Sequence, residues 1–290
     1  MNLVDLTLNA GEITLTGQYL AEAVQTNRTA RPLIVALHGG TFMAKYFDIE
    51  GASLFDVANR LGLALVSINR PCYAQSGKLS PDDATILNSA KSVTLALTDL
   101  WRRHGAGHSG IVLIGHSIGG AVAVLIASMA RDFPLQGISI SGVGVTPPAQ
   151  MLSIWEALPD LPEMTLPHAI KDQMMLGPET SYPQQIAQLY HAADFPAPRT
   201  ELIDIYFGWP SLLSEIGGQV NVPVHYRQPE FDSLWVVNEA EVKAFANRLP
   251  NAPLMDAGIF RGAGHCIEFH HPGQAFQLEQ LAFALRCGVS

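Results

Sequence analysis

The sequence predicts an α/β domain: a mostly parallel sheet with helices on both faces, interrupted by an inserted helical segment. Three observations carry this. Short apolar runs alternate with segments of helical period before residue 144 and again after residue 221. Between them, residues 145–220 lose that rhythm and carry a cluster of prolines from Pro147 to Pro210. The chain is 48% hydrophobic and only 15% charged. A sheet covered on both faces needs such apolar strands.

The elements follow in order. Leu3–Leu8 and Glu12–Leu20 alternate apolar and polar residues around Asn9-Ala10-Gly11, a hairpin signal. Leu33–Leu37 is a buried strand ending in His38-Gly39-Gly40. A helix is expected over Ala52–Leu61, then a strand over Leu63–Ile68 that ends at Asn69-Arg70-Pro71. Asp82 or Asp83 can cap a long helix to about His104, with Ile86, Ala90, Val93, Leu97 and Leu100 on one face. Ile111–Ile114 reads as a strand, Ile118–Arg131 as a helix and Leu135–Ile140 as a strand. The 145–220 insertion offers short amphipathic pieces at Met151–Leu158, Gln184–Ala192 and Glu201–Phe207. Strand Val222–Tyr226, helix Glu239–Leu249, strand Leu254–Phe260 and helix Gln274–Arg286 complete the pattern. The expected division is a core of 1–144 and 221–290 with a helical cap at 145–220.

Composition bounds the function. At 290 residues the chain can bury a large core without staples. Low hydrophobicity with high charge, the signature of disorder, is missing. Lys and Arg number 17 against 26 Asp and Glu, a formal charge of -9 with no basic run, so nucleic acid is not an expected partner. The most apolar window, Ile111–Ala130, is broken by Gly115, His116, Ser117, Gly119 and Gly120, so no membrane span is expected. The N-terminus lacks a basic region followed by an apolar stretch, so a secretory leader is not expected. Three widely spaced cysteines, Cys72, Cys266 and Cys287, make no disulfide framework, and a cytoplasmic setting is the expectation.

The chemistry centres on Gly115-His116-Ser117-Ile118-Gly119, which fits G-x-S-x-G between a strand and a helix. A serine at so sharp a turn takes a strained backbone, and small neighbours relieve the crowding. Its hydroxyl then stands at a helix N-terminus, which favours developing negative charge. His265, in Gly262-Ala263-Gly264-His265-Cys266 past the last strand, is the expected base. Asp232 is the expected orienting acid, with Glu230 two residues earlier as competitor. The nucleophile, acid, base order fits this architecture. For the oxyanion, the N–H groups of Ile118 and Gly40 are expected donors, with Thr41 as the alternative to Gly40.

On these residues the chain resembles the α/β-hydrolase family over roughly residues 30–290. The shared features are His38-Gly39-Gly40, the segment Asn69–Ser76, the elbow Gly115–Gly119, Asp232 and Gly264-His265. The resemblance implies two-step acyl transfer: Ser117 attacks a carbonyl, His265 carries the proton and Asp232 orients the imidazole. Two departures stand out. Cys72 and Ala74 occupy positions where the family usually has glycines, and the acid-bearing strand, His225-Tyr226-Arg227-Gln228-Pro229, is unusually polar. His38, Gly39, Thr41, Cys72, Trp155 and Trp209 are the expected substrate-contacting residues. The cap's Met151, Met164, Met174, Met175, Tyr190, Phe195, Tyr206 and Phe207 could add to an apolar pocket.

Other sites are not supported. His265, Cys266, His270 and His271 do not follow zinc spacings, so no metal is expected. No nucleotide fingerprint occurs, so no cofactor is expected. The expected partner is a small apolar molecule, with a homodimer as the other association considered. The leading function is hydrolysis of a largely apolar ester, thioester or lactone. The alternatives are the same triad used for carbon–carbon cleavage of a diketone or for acyl transfer or cyclisation, and a non-catalytic binding protein.

Overall fold

The computed structural model describes residues 2–20 and 31–288. Its strands are β1 (Leu3–Ala10), β2 (Ile13–Leu20), β3 (Leu33–Leu37), β4 (Leu65–Ile68), β5 (Ile111–His116) and β6 (Leu135–Ser141). Two short strands follow, β7 (Glu163–Met164) and β8 (Ala197–Pro198), then β9 (Val224–Pro229) and β10 (Met255–Phe260). The helices are α1 (Leu54–Leu61), α2 (Ile86–His104), α3 (Ile118–Ser128), α4 (Ala149–Glu156), α5 (His168–Met175) and α6 (Ile186–Leu189). They continue with α7 (Arg199–Phe207), α8 (Trp209–Ile216), α9 (Glu239–Asn247) and α10 (Gly273–Cys287).

Eight strands form one sheet in the order β1-β2-β4-β3-β5-β6-β9-β10. The β1–β2 hairpin and the β2–β4 pair are antiparallel. Every pair from β4 to β10 is parallel. The central strands β3, β4 and β5 are buried at every residue, as strands covered on both faces must be. Helix α3 is apolar all round and is buried from Ile118 to Ala127. Each such Val, Leu or Ile contributes about 1.5–3 kcal/mol of burial.

The strand order positions the site. The chain leaves β3 for β4 on one side, whereas β5 lies on the other. The connections therefore diverge at the carboxyl ends of β3 and β5 and leave a crevice there, the usual place for a ligand in a parallel sheet. His38-Gly39-Gly40 follows β3 and Ser117 follows β5.

Several element ends differ from expectation for local reasons. Helix α2 starts at Ile86, not Asp82 or Asp83, because Thr85 caps it by accepting the Asn88 N–H. Helix α1 starts at Leu54, with Ser53 accepting from Asp56. Helix α3 stops at Ser128, where Met129 turns extended. The expected helix over Gln184–Ala192 is a short α6 followed by a 3₁₀ turn, Tyr190–Ala193. Strand β9 runs on to Pro229, so its polar end belongs to the ladder. Among the described residues, no helix is long and apolar enough to cross a membrane.

Candidate active site

The elbow is built by close approach. Ser117 has φ 54° and ψ -122°, which a side-chain-bearing residue rarely adopts. A Cβ at Gly119 would stand 2.1 Å from the Leu37 carbonyl oxygen, and one at Gly115 would stand 2.5 Å from that of Gly119. Only glycine lets α3 rise so near β3 and β5. The Ser117 N–H bonds the Ser141 carbonyl at 2.8 Å, which ties the elbow to the end of β6.

The next residue, Gly142, lies against the His265 ring; a Cβ there would meet Cε1 at 3.1 Å. His265 is buried, and its Nδ1 lies 2.9 Å from Asp232 Oδ2. Asp232 also accepts from Gln228 Nε2 at 3.0 Å and from the Leu234 N–H at 2.9 Å. His265 Nε2 is buried and makes no hydrogen bond, so this nitrogen is open to a proton. Glu230 lies elsewhere: it accepts from the Gly262 N–H at 2.8 Å and from Arg261 at 3.0 Å. Those two donors hold its carboxyl below the usual carboxylate range.

The backbone N–H groups of Gly40 and Ile118 make no hydrogen bond. Both residues line a narrow cavity of about 30 Å³ at Ser117, together with Thr41. Thr41 holds φ 62°. Its carbonyl accepts from the buried Lys171 Nζ at 2.7 Å, and that ammonium also meets Asp194 at 2.6 Å.

The rest of the cavity wall comes from the chain between β6 and β9 and from the loop after β9: Trp155, Leu166, Met175, Leu202, Ile205, Tyr206, Leu234 and Trp235. Trp155 stacks on Tyr206 with ring centres 4.9 Å apart, and Tyr206 stacks on Trp235 at 5.5 Å. Burial drives the Tyr206 hydroxyl well above its ordinary pKa, and the nearby Asp232 adds to the shift. Trp235 was missed in the sequence; its signal was its place three residues past Asp232. Leu202 and Ile205 were hidden inside a helix whose buried face the sequence could not identify.

Four expected wall residues are corrected by their surroundings. The His38 ring is clamped, with Nδ1 2.7 Å from the Gly39 carbonyl and Nε2 accepting the Arg70 N–H at 3.1 Å. Burial and the Arg70 charge keep its pKa well below the ordinary histidine value. Gly39 packs on His116 and the Ser117 Cβ instead of facing the cavity. Cys72, at φ 72°, turns its sulfur to the Leu79 N–H at 3.3 Å. Trp209 is fully buried and donates to the Gly144 carbonyl at 3.0 Å, so it ties the start of α8 to the loop after β6. Of the other insertion residues named from sequence, only Met175 and Tyr206 line the cavity.

The histidines after β10 point different ways. His270 Nδ1 bonds the Cys266 carbonyl at 2.8 Å, and Cys266 Sγ lies 3.6 Å from His116 Nε2. Among the described residues one group has metal-ligand spacing, His168, His191 and Asp194. Its two imidazoles are stacked 3.7 Å apart at 14°, so their lone pairs lie in parallel planes and do not converge.

A profile described as "Alpha/beta hydrolase family" matches residues 34–277. A comparison with curated proteins gave no match. Among solved structures, a thermophilic esterase from Thermogutta terrifontis superposes with TM-score 0.67 at 18% identity, over 100% of both chains. An esterase from Exiguobacterium antarcticum gives 0.66 at 13% identity, over 96% of this chain and 98% of that one. A thioesterase domain from the curacin biosynthetic pathway gives 0.64 at 12%, over 97% and 100%. At these identities the likeness is one of fold.

Proposed function

The chain belongs to the alpha/beta hydrolase family, and on that premise we propose that it is a serine hydrolase of small, largely apolar carboxylic esters, thioesters or lactones. The observation that carries the reading is the strained Ser117 elbow beside the paired His265 and Asp232. In this reading residues 145–220 form a cap over the site.

The steps follow from the atoms available. His265 Nε2 takes the Ser117 proton as Oγ attacks the carbonyl carbon. The oxyanion is held by the Gly40 and Ile118 N–H groups, and loss of one such donor typically costs about 10²–10³ in rate. His265 then gives its proton to the leaving group, which departs as an alcohol, thiol or ring-opened hydroxyl. A water, deprotonated by His265, attacks the acyl-enzyme; the acyl–oxygen bond breaks, His265 returns the proton to Ser117 Oγ, and the acid is released.

The cavity suggests the substrate class. About 30 Å³ walled by two tryptophans, a tyrosine and aliphatic side chains favours a short acyl group. The test is fluorophosphonate labelling read by intact mass, alongside p-nitrophenyl esters of increasing acyl length. One adduct is expected, on Ser117 and lost in Ser117→Ala, with turnover falling as the acyl chain grows. A folded protein that takes no label and cleaves no activated ester overturns the reading.

A further inference from the structure

Among the described residues Arg70 is the largest fully buried charged side chain, and the mechanism above gives it no task. It is 0% exposed, and its donors are spent on two sides. On one side, Nε bonds the His38 carbonyl at 2.9 Å and Nη2 bonds the Gly39 carbonyl at 3.2 Å. On the other, the guanidinium pairs with Glu201 of α7, itself 2% exposed. Tyr73 Oη donates to the same carboxylate at 2.5 Å.

The geometry of the peptide unit gives this pairing a consequence. In a trans peptide the carbonyl of one residue and the N–H of the next point in opposite directions. The Gly39 carbonyl and the Gly40 N–H belong to one peptide unit, and the described residues contain no cis bond. Pulling the Gly39 oxygen toward Arg70 therefore turns the Gly40 N–H the other way. Gly40 lines the Ser117 cavity, and a Cβ on it would stand 2.8 Å from the Ile118 side chain. A cation on the carbonyl also polarises the peptide and strengthens its N–H as a donor.

We propose that Arg70 is a positioning residue for the oxyanion donor Gly40, and that Glu201 of the inserted helix α7 holds it in that role. The oxyanion loop and the insertion are thus one electrostatic unit. An insertion that leaves its seat withdraws Glu201, and Arg70 is then free to leave Gly39. His38 Nδ1 also bonds the Gly39 carbonyl, at 2.7 Å, so loss of Arg70 loosens the donor without freeing it entirely.

The kinetic arm of the test rests on the serine-hydrolase reading; the spectroscopic arm does not. Arg70→Met alone strands the Glu201 charge and threatens folding. The informative variant is Arg70→Met/Glu201→Met, which replaces the pair by apolar side chains of similar length, with Glu201→Gln beside it. Three quantities are read: kcat and KM for a p-nitrophenyl ester, Ki for a trifluoromethyl ketone that adds to serine as a tetrahedral adduct, and the Gly40 amide ¹⁵N shift.

In the double variant kcat falls about 10- to 100-fold while KM stays within about threefold, less than full loss of a donor. Ki rises by the factor that kcat/KM falls, because both report the oxyanion. The Gly40 ¹⁵N resonance moves upfield as the Gly39 carbonyl of the same peptide unit loses a cationic donor. Glu201→Gln gives a smaller change in the same direction. A folded double variant with wild-type kcat and an unmoved Gly40 resonance overturns the proposal. So does a fall in kcat that Ki does not follow. A wild-type protein that neither labels nor hydrolyses sinks the serine-hydrolase reading instead, and the ¹⁵N shift still decides whether Arg70 governs Gly40.

Discussion

His265 Nδ1 and Asp232 Oδ2 lie 2.9 Å apart, and both side chains are closed to solvent. The carboxylate can only accept, so it fixes the proton on Nδ1 and leaves Nε2 as the basic nitrogen. Asp232→Asn puts an amide donor in that place and favours the wrong tautomer. The expected loss in kcat is about 10⁴-fold with the fold retained. Glu230→Gln, by contrast, is expected to leave kcat within about threefold. Steady-state hydrolysis of a p-nitrophenyl ester checks both, and a collapse with Glu230→Gln would reverse the assignment.

In the proposed hydrolase, the wall facing Ser117 is expected to set acyl length. Trp155→Ala removes one end of the Trp155–Tyr206–Trp235 stack and opens space beside the serine. The ratio of kcat/KM for an octanoyl ester over an acetyl ester is expected to rise by at least about tenfold, the order of a few methylenes in an apolar pocket. An unchanged ratio means that the acyl group does not bind there.

Backbone strain is stored in the loop after β4. Ala74 sits at φ 50°, where a Cβ costs roughly 1–2 kcal/mol. Ala74→Gly is therefore expected to raise stability by about 1 kcal/mol, less what the more flexible unfolded chain takes back. Urea denaturation measures it. A destabilised variant means that the Ala74 methyl is held by packing worth more than the strain.

Acid should destabilise the protein through a buried histidine. Burial, with the Arg227 charge as a second cause, lowers His225 to about 4. In the unfolded chain it titrates near 6.5, so the unfolded state binds the extra proton between about pH 6.5 and 4. The contribution of neutral His225 is complete above pH 6.5 and is lost as pH falls through that window. Between pH 7.5 and 5.0 this amounts to about 2 kcal/mol. His225→Gln should flatten that part of the stability curve, measured by urea denaturation at the two pH values. An equal slope in the variant assigns the acid sensitivity to other groups.

The sheet, its parallel sense and the elbow were legible because each has a local signature. A buried strand is a short apolar run, and Gly119 announces the contact that only it permits. The His265 loop was legible for the same reason, through its flanking glycines. What the sequence hid is pairing at a distance. Nothing near Arg70 announces that its partner stands in α7, and nothing near Lys171 announces the Thr41 carbonyl. The four misplaced wall residues share a cause. His38, Gly39, Cys72 and Trp209 are near the site in sequence or composition, but three are turned aside by hydrogen bonds to distant backbone and Gly39 is packed against His116 and Ser117, contacts no local pattern records.

Strands β6 and β9, which bracket the insertion, are hydrogen-bonded neighbours in the sheet. The intervening chain leaves and returns at adjacent points, so recombination between relatives could exchange it without disturbing the ladder. Arg70 makes that exchange selective. An incoming segment must bring an acid to the place of Glu201, or the recombinant inherits a cation with no counter-charge. One buried residue of the core thus acts as a compatibility filter on which segments evolution, or a protein engineer, can graft above the serine.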